Sequence, residues 1–415
     1  MKRNMQNRTS EILTFRKEQR NSSSYPTSNR LFVFVLGLTL ALCTVPAFGQ
    51  HVHQLYYNNS TWTDTDLTSL AGGPSPAQVG ITAFNTTPNN DLHVFYVSNS
   101  DSHIHQLYYN GSSWTDSDMT AATGGVTAIT NTFSAPSSGF ALGNAQYLYF
   151  CGSDNAVHEY SYGDGGNWNW VDRNLNALVV GGGAPNCSAF SNGLVAYATP
   201  GNSQRHIFYQ PSSSSSDIYQ IVLKGAAWYG EDETVMTHGA KGDGTWMAGF
   251  AIGNAQYAFF EDVKGRIHEY SYGAGGNWNW VDKNLTGLTK GGKSDTSSLT
   301  GVAAFVIPGT SRIEVYYGTS YIDVHQITYQ NHKWTDADIG GPGPVYQSQI
   351  VGFATTPNDQ FHVYHESEPG GYYGIYQQYF NGSWSSQELA SWFTIGGMSG
   401  FAIDNMQYVY YITFD

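Results

Sequence analysis

The chain has 415 residues, of which 12% are charged and 15% aromatic, with 47 glycines and 30 tyrosines. Disorder needs high charge and few aromatics, so this composition excludes it and suits short strands joined by tight turns. A net charge of −14 leaves no basic surface to neutralise phosphates, which excludes nucleic acid as a partner.

Residues 1–30 carry seven basic side chains against Glu11 and Glu18, and LFVFVLGLTLALCTVPAFG follows. A basic stretch, an apolar run and small residues at Ala47 and Gly49 spell an export signal over residues 1–49, with cleavage expected before Gln50. The expected location is therefore secreted or extracytoplasmic. An uncleaved membrane anchor is the alternative reading, and Leu42 disfavours a lipid anchor at Cys43. Loss of residues 1–49 removes seven of 18 basic and two of 32 acidic residues, leaving 11 against 30, or about −19. Cys151 and Cys187 remain. A disulfide between them is permitted outside the cytoplasm, but two separately buried thiols are the simpler expectation. Their spacing fits no structural zinc site.

From residue 51 the chain repeats itself. HVHQLYYNNSTWTDTDLT at 51 returns as HIHQLYYNGSSWTDSDMT at 103, and weaker copies begin at 156, 217, 266, 323 and 374. Each copy holds Gln or Glu at one position: Gln54, Gln106, Glu159, Gln220, Glu269, Gln326 and Gln377. The first and last are 323 residues apart over six intervals, about 54 per unit. Tryptophan follows each time, at Trp62, Trp114, Trp168 with Trp170, Trp228, Trp278 with Trp280, Trp334 and Trp384. Every unit also has a small-residue strand such as GITAF or AGFAIG, then an aromatic one such as LHVFYVS or QYAFFED. Four short strands per unit, bounded by Gly and Asn turns, leave no room for a helix.

Four antiparallel strands repeated at this period are the signature of a propeller blade, and blades bury their faces only against one another. The fold class expected is all-β: a seven-bladed β-propeller over residues 51–415, small-residue strands innermost and tryptophan strands outermost. The array starts with the last two strands of a unit and ends with the first two, MSGFAIDNMQYVYYITFD. Residues 397–415 and 51–70 should therefore complete one blade together, which leaves no open edge.

Chemistry is sparser. No nucleophile motif, no His-Glu-x-x-His and no Ser-x-Asp-x-Gly-x-x-Trp box occurs, so no enzyme is expected. His53, His105, His158, His268 and His325 recur one residue before the Gln/Glu. Seven-fold placement spreads them around a ring, so strand histidines between blades are expected rather than a metal site. Asp64/Asp66, Asp116/Asp118 and Asp336/Asp338 lack the glycine and trailing Glu of a calcium loop and read as solvated edge carboxylates. No metal and no cofactor are expected.

The best binding signal pairs the start of the aromatic strand with the Gln/Glu of the next strand in the same unit. The pairs are His93–Gln106, Tyr147–Glu159, Arg205–Gln220, Tyr257–Glu269, Arg312–Gln326, His362–Gln377 and, across the closure, Tyr408–Gln54. A guanidinium beside an amide or carboxylate can clamp neighbouring hydroxyls, and an indole face can pack on a sugar ring. The rival reading is that the Gln/Glu caps strand edges and tryptophan fills the interface.

RHIFYQPSSSSSDIYQIVLKGAAW (205–228) and RIEVYYGTSYIDVHQITYQNHKW (312–334) resemble the repeat of the fucose-binding lectins of the Aleuria type. The resemblance extends as a repeat pattern over about 51–415. It implies a propeller with sugar sites between blades and glycans, including fucosylated ones, as partners. Arg205 and Arg312 match the family's arginine; Gln220, Gln326, Glu159 and Glu269 match its acid or amide. Trp228, Trp278, Trp334 and Trp384 are the candidate stacking residues. The family's best-known members have six blades, arginine is present in two units here, and no single unit holds both Arg and Glu. The function expected is non-catalytic carbohydrate binding by a lectin-like protein. The alternative is a scaffold for protein partners at the cell surface. Oligomeric state is left open.

Overall fold

The computed structural model describes residues 49–414 apart from 131–136, 188–192, 212–215, 245, 291–300, 320–322, 343–348, 357, 369–372 and 392–393. The expected export signal lies outside the described residues. Seven antiparallel sheets of four strands each make seven blades. Blade 1 runs outward through Pro76–Asn85, Leu92–Ser98, Ile104–Tyr109 and Trp114–Asp118. Blades 2 to 6 follow at 137–174, 194–232, 248–284, 302–338 and 350–391. Blade 7 takes its inner strands, Thr394–Ile403 and Met406–Phe414, from one end of the array. Its outer strands, His51–Asn58 and Thr61–Asp66, come from the other. Gln54 lies opposite Tyr410 in that seam, so the expected closure is the one observed.

Each innermost strand touches the next, and that of blade 7 touches that of blade 1. The small residues of these strands answer to crowding. A Cβ at Gly139 would stand 2.8 Å from the Phe84 ring of the preceding blade, and one at Gly249 would stand 2.9 Å from Tyr197. The second strands are covered on both faces. Leu92–Ser98 is buried at every position, which is why these strands read as continuous aromatic and β-branched runs rather than alternating ones. The outer tryptophans pack edge-on against the second strand of the preceding blade. Trp170 meets Phe95, Trp280 meets Phe208, Trp384 meets Tyr316, Trp62 meets Tyr364 and Trp114 meets Tyr410, with centroids 5.7–6.4 Å apart.

Three expectations are corrected. Five helices of four or five residues follow outer strands, each capped by the last strand residue: Asp66, Asp118, Asn174, Asp232 and Asn284. Their first residue faces the core and is Leu67, Met119, Leu175 or Leu285, but Glu233 in blade 3. The first aspartate of each Asp-x-Asp pair is tied into its blade by hydrogen bonds, Asp116 and Asp336 being covered while Asp64 stays exposed. Asp64, Asp116 and Asp336 accept from His53, His105 and His325 at 2.8–3.0 Å and from Tyr411, Tyr96 and Tyr317 at 2.8–2.9 Å. Asp172 and Asp282 hold His158 and His268 in the same way. Finally, Cys151 and Cys187 form a disulfide rather than two separate thiols. Cys187 also bridges Pro211, so the link ties blade 2 to a segment lying on blade 3.

Candidate functional site

Strand register places the Gln/Glu positions at the blade interfaces, opposite Phe95, Tyr149, Phe208, Phe259, Tyr316, Tyr364 and Tyr410 of their own second strands. Gln106, Glu159, Gln220 and Gln377 thus reach the first residues of the second strand in the next blade. Arg205 pairs with Glu159 of the preceding blade rather than with Gln220 of its own.

At the interface of blades 1 and 2, Gln106 Nε2 donates to His93 Nδ1 at 3.0 Å and to Gln146 Oε1 of blade 2 at 2.9 Å. His93 Nε2 lies 3.4 Å from Thr86 Oγ1. Between blades 3 and 4 the same relay joins Thr199, His206, Gln220 and Gln256, with 3.1 Å from Gln220 to each of His206 and Gln256. Between blades 6 and 7 it joins Thr355, His362, Gln377 and Gln407. Burial pushes His93 down to about 4 and His362 to about 4. It takes His206 to about 3, with Lys224 adding to the effect. Neutral rings accept at Nδ1, as the amide donors require. Gln220 thus meets His206, one residue beyond the expected Arg205. Once its Nε2 has donated twice, Gln106 retains a carbonyl oxygen and Gln146 its amide hydrogens.

Two of these three relays open into cavities. One, of about 380 Å³, lies between blades 1 and 2 and is lined by His93, Gln106, Gln146, Asn144 and Trp168 among others. The other, of about 540 Å³, lies between blades 3 and 4 and is lined by Gln220, Gln256, Asn254 and Trp278 among others. Trp168 and Trp278 are each 54% exposed. The loops GDGGNWNW and GAGGNWNW hold them there. Gly163 at φ +77° and Gly273 at φ +75° turn the chain, and a Cβ on either would strike the indole at 2.6 or 2.7 Å. Tyr162 and Tyr272 support the rings edge-on at 5.6 Å. The second tryptophan of each pair, Trp170 or Trp280, is the one spent on blade packing.

The arginines lie elsewhere. Arg205, 5% exposed, sits between the Tyr147 ring (4.5 Å) and the Trp228 ring (5.2 Å) at the interface of blades 2 and 3. Its Nη1 is 3.0 Å from Glu159 Oε2. Glu159 is fully buried and also accepts from Tyr149 at 2.8 Å and Arg173 at 2.7 Å. An Arg–Glu pair is thus completed across two blades, beside the one that Glu159 makes with Arg173 in its own. Arg205 Nη2 also lies 3.5 Å from Asp164 Oδ2, and Trp228 is itself buried. Between blades 4 and 5, Glu269 pairs with Lys283 at 2.5 Å, and Ile313 occupies the place of Arg205. Trp334 packs on Tyr329 there. Between blades 5 and 6, Arg312 and Gln326 meet through Glu314, at 2.5 and 2.7 Å, with Arg312 4.7 Å from the Phe361 ring and Trp384 on Tyr316. Burial raises Glu314, the charge of Arg312 opposing. Of the expected residues, His93 and Gln106 line the first cavity, and Gln220 and Trp278 the second. Sequence reasoning missed Gln146, Gln256, Asn144 and Asn254, whose signal was the repeated GNAQY at 143 and 253. Among the described residues, no group of three or more His, Cys, Asp or Glu is placed to hold a metal.

Residues 47–197 match the family model of the fungal fucose-specific lectins. No curated protein matches the chain. AofleA from Arthrobotrys oligospora is similar in fold at a TM-score of 0.51 and 15% identity, over 87% of this chain and 92% of that one. The Aleuria aurantia lectin, described as a six-bladed propeller with a fucose recognition mode, gives 0.50 and 17% over 75% and 94%. A variant of it in complex with Fucα1-6GlcNAc gives 0.51 and 16% over 75% and 96%. This ring has one blade more than the Aleuria lectin. Residues 47–197 thus resemble the fungal fucose-specific lectins, and the chain shares the propeller fold of the Aleuria aurantia lectin.

Proposed function

We propose that the protein is an exported, non-catalytic lectin that captures glycans, fucosylated ones among them, between blades 1 and 2 and between blades 3 and 4. The observation that carries this reading is one arrangement built twice: a half-exposed indole, Trp168 or Trp278, over a floor of paired amides. An open indole face packs on the C–H face of a pyranose. Free amide N–H and C=O groups match neighbouring hydroxyls. The family and the ligands named for its solved members support fucose as the sugar class. Two sites on one ring favour multivalent surfaces, because the second contact is intramolecular. Export is supported by the basic-then-apolar N-terminal sequence and by the Cys151–Cys187 disulfide, which suits an oxidising compartment.

A glycan array probed with the purified protein and with a Trp168→Ala/Trp278→Ala variant tests the reading. Fucosylated glycans should bind the parent, and the variant should lose about tenfold or more per site, the equivalent of roughly 1.4 kcal/mol. Silence from a parent that is folded by circular dichroism would overturn it and turn the search to protein partners at the cell surface.

A further inference from the structure

The two pockets share one wall and differ in the other. Blades 2 and 4 supply the same residues in the same places, including Trp168 and Trp278. The preceding blades do not. Blade 1 places Tyr108 over the floor, its ring stacked on His93 at 5.1 Å and 21°, its hydroxyl donating to Asp91 at 3.3 Å. Register puts Val222 of blade 3 in that position, and Val222 is fully buried within its own blade. Tyr108 lines the first cavity, whereas Val222 is covered and does not line the second. Beyond it the larger cavity continues along blade 3 to Lys224, Glu231 and Met236. Lys224 Nζ pairs with Glu231 at 2.5 Å, and Met236 is 60% exposed. Blade 1 has Asn110, Ser117 and Ala122 at those positions, none of which lines the smaller cavity. The two cavities measure about 380 and 540 Å³.

The geometry points to two different ligand lengths: the pocket between blades 1 and 2 takes a single terminal sugar, the cleft between blades 3 and 4 takes two or more linked sugars, and Tyr108 sets the difference. This rests on the lectin reading above. In the cleft, the first ring lies at Trp278 and the amide floor. The next ring runs outward to Lys224 and Glu231, whose charged groups bind hydroxyls, with Met236 as an apolar edge.

Two variants isolate the sites without touching a buried residue. Trp278→Ala leaves the smaller pocket, and Trp168→Ala leaves the larger cleft. Each is titrated calorimetrically with methyl α-L-fucoside and with Fucα1-6GlcNAc. Trp168→Ala should bind the disaccharide at least tenfold more tightly than the monosaccharide, and Trp278→Ala should show no such preference. Adding Tyr108→Val to Trp278→Ala should raise disaccharide affinity about fivefold and leave the monosaccharide unchanged, whereas Tyr108→Phe, which keeps the ring, should do neither. Equal preferences in the two single variants, or no effect of Tyr108→Val, would overturn the inference with the lectin reading intact. Failure of the parent to bind either sugar would remove both.

Discussion

Glu233 offers a direct measurement of what this fold tolerates. It opens the short helix of blade 3 at a position that holds leucine or methionine in four other blades. It is fully buried, and neither carboxyl oxygen has a partner among the described residues. Burial pushes it from 4.5 up to about 9; the charges of Glu231 and Asp232 act in the same direction and Lys224 against. The folded protein therefore carries a neutral acid at pH 7, and the unfolded chain an ionised one. A group whose folded pKa is raised contributes stability below its unfolded pKa and loses it as pH rises toward the folded value. Taking up a proton at pH 7 against an unfolded pKa of 4.5 costs about 3.4 kcal/mol, at 1.36 kcal/mol per unit. At pH 4.5 that cost falls to about 0.4 kcal/mol. Glu233→Leu removes it, so the variant should exceed the parent in urea denaturation, and the gain should be about 3 kcal/mol larger at pH 7 than at pH 4.5. A gain independent of pH, or a variant weaker than the parent at pH 7, would refute the reasoning.

The buried relays have the opposite sign. His93, His206 and His362 are held below their ordinary 6.5, so each contributes stability above that pH and loses it as pH falls toward 4, up to about 3 kcal/mol apiece. At His105 and His158 burial opposes the charge but is outweighed by hydrogen bonds and charges from Asp116 and Asp172; at His325 the Asp336 hydrogen bond leads. These three are raised, and their contribution is held below pH 6.5 and lost as pH climbs through the folded values. Proton NMR should find the first three rings neutral at pH 5.5 and the second three still protonated above 6.5; a member of the first group titrating near 6.5 would count against the relay. Arg205→Ala leaves the buried Glu159 to Arg173 and Tyr149 and should cost about 1.5–3 kcal/mol of stability without selective loss of glycan binding. Unchanged thermal stability with lost binding would return Arg205 to the site.

The architecture was legible because it is periodic. Seven Gln/Glu positions, tryptophan in each of seven units and a unit split between the two ends of the array leave one arrangement that buries every sheet, and the structure has it. The five short helices escaped notice because a single turn has no period to detect; only Asp66 and its equivalents marked them. The arginines misled for two physical reasons. The turn before the second strand varies in length, from Leu142–Ala145 to Ala198–Arg205. A count from the turn therefore put Arg205 where His206 belongs. Four of the Gln/Glu also have a partner in the next blade, as Gln106 has Gln146 40 residues onward, and comparison within a unit cannot see it. The doubled tryptophans were visible as GNWNW, but which ring faces solvent depends on Gly163 and Gly273 being nearly in contact with one of them.

Blade 7 also sets the order of events in making the molecule. His51–Asn58 leaves the ribosome among the first strands of the ring, and its partner Met406–Phe414 leaves last. Until then the first hairpin has no sheet to join, and the growing arc has two unsatisfied edges able to pair with another chain. Assembly is thus gated by the final residues. A chain stopped before Met406 retains six potential blades but loses the lock, and it would be selected against as an aggregating arc rather than tolerated as a smaller ring.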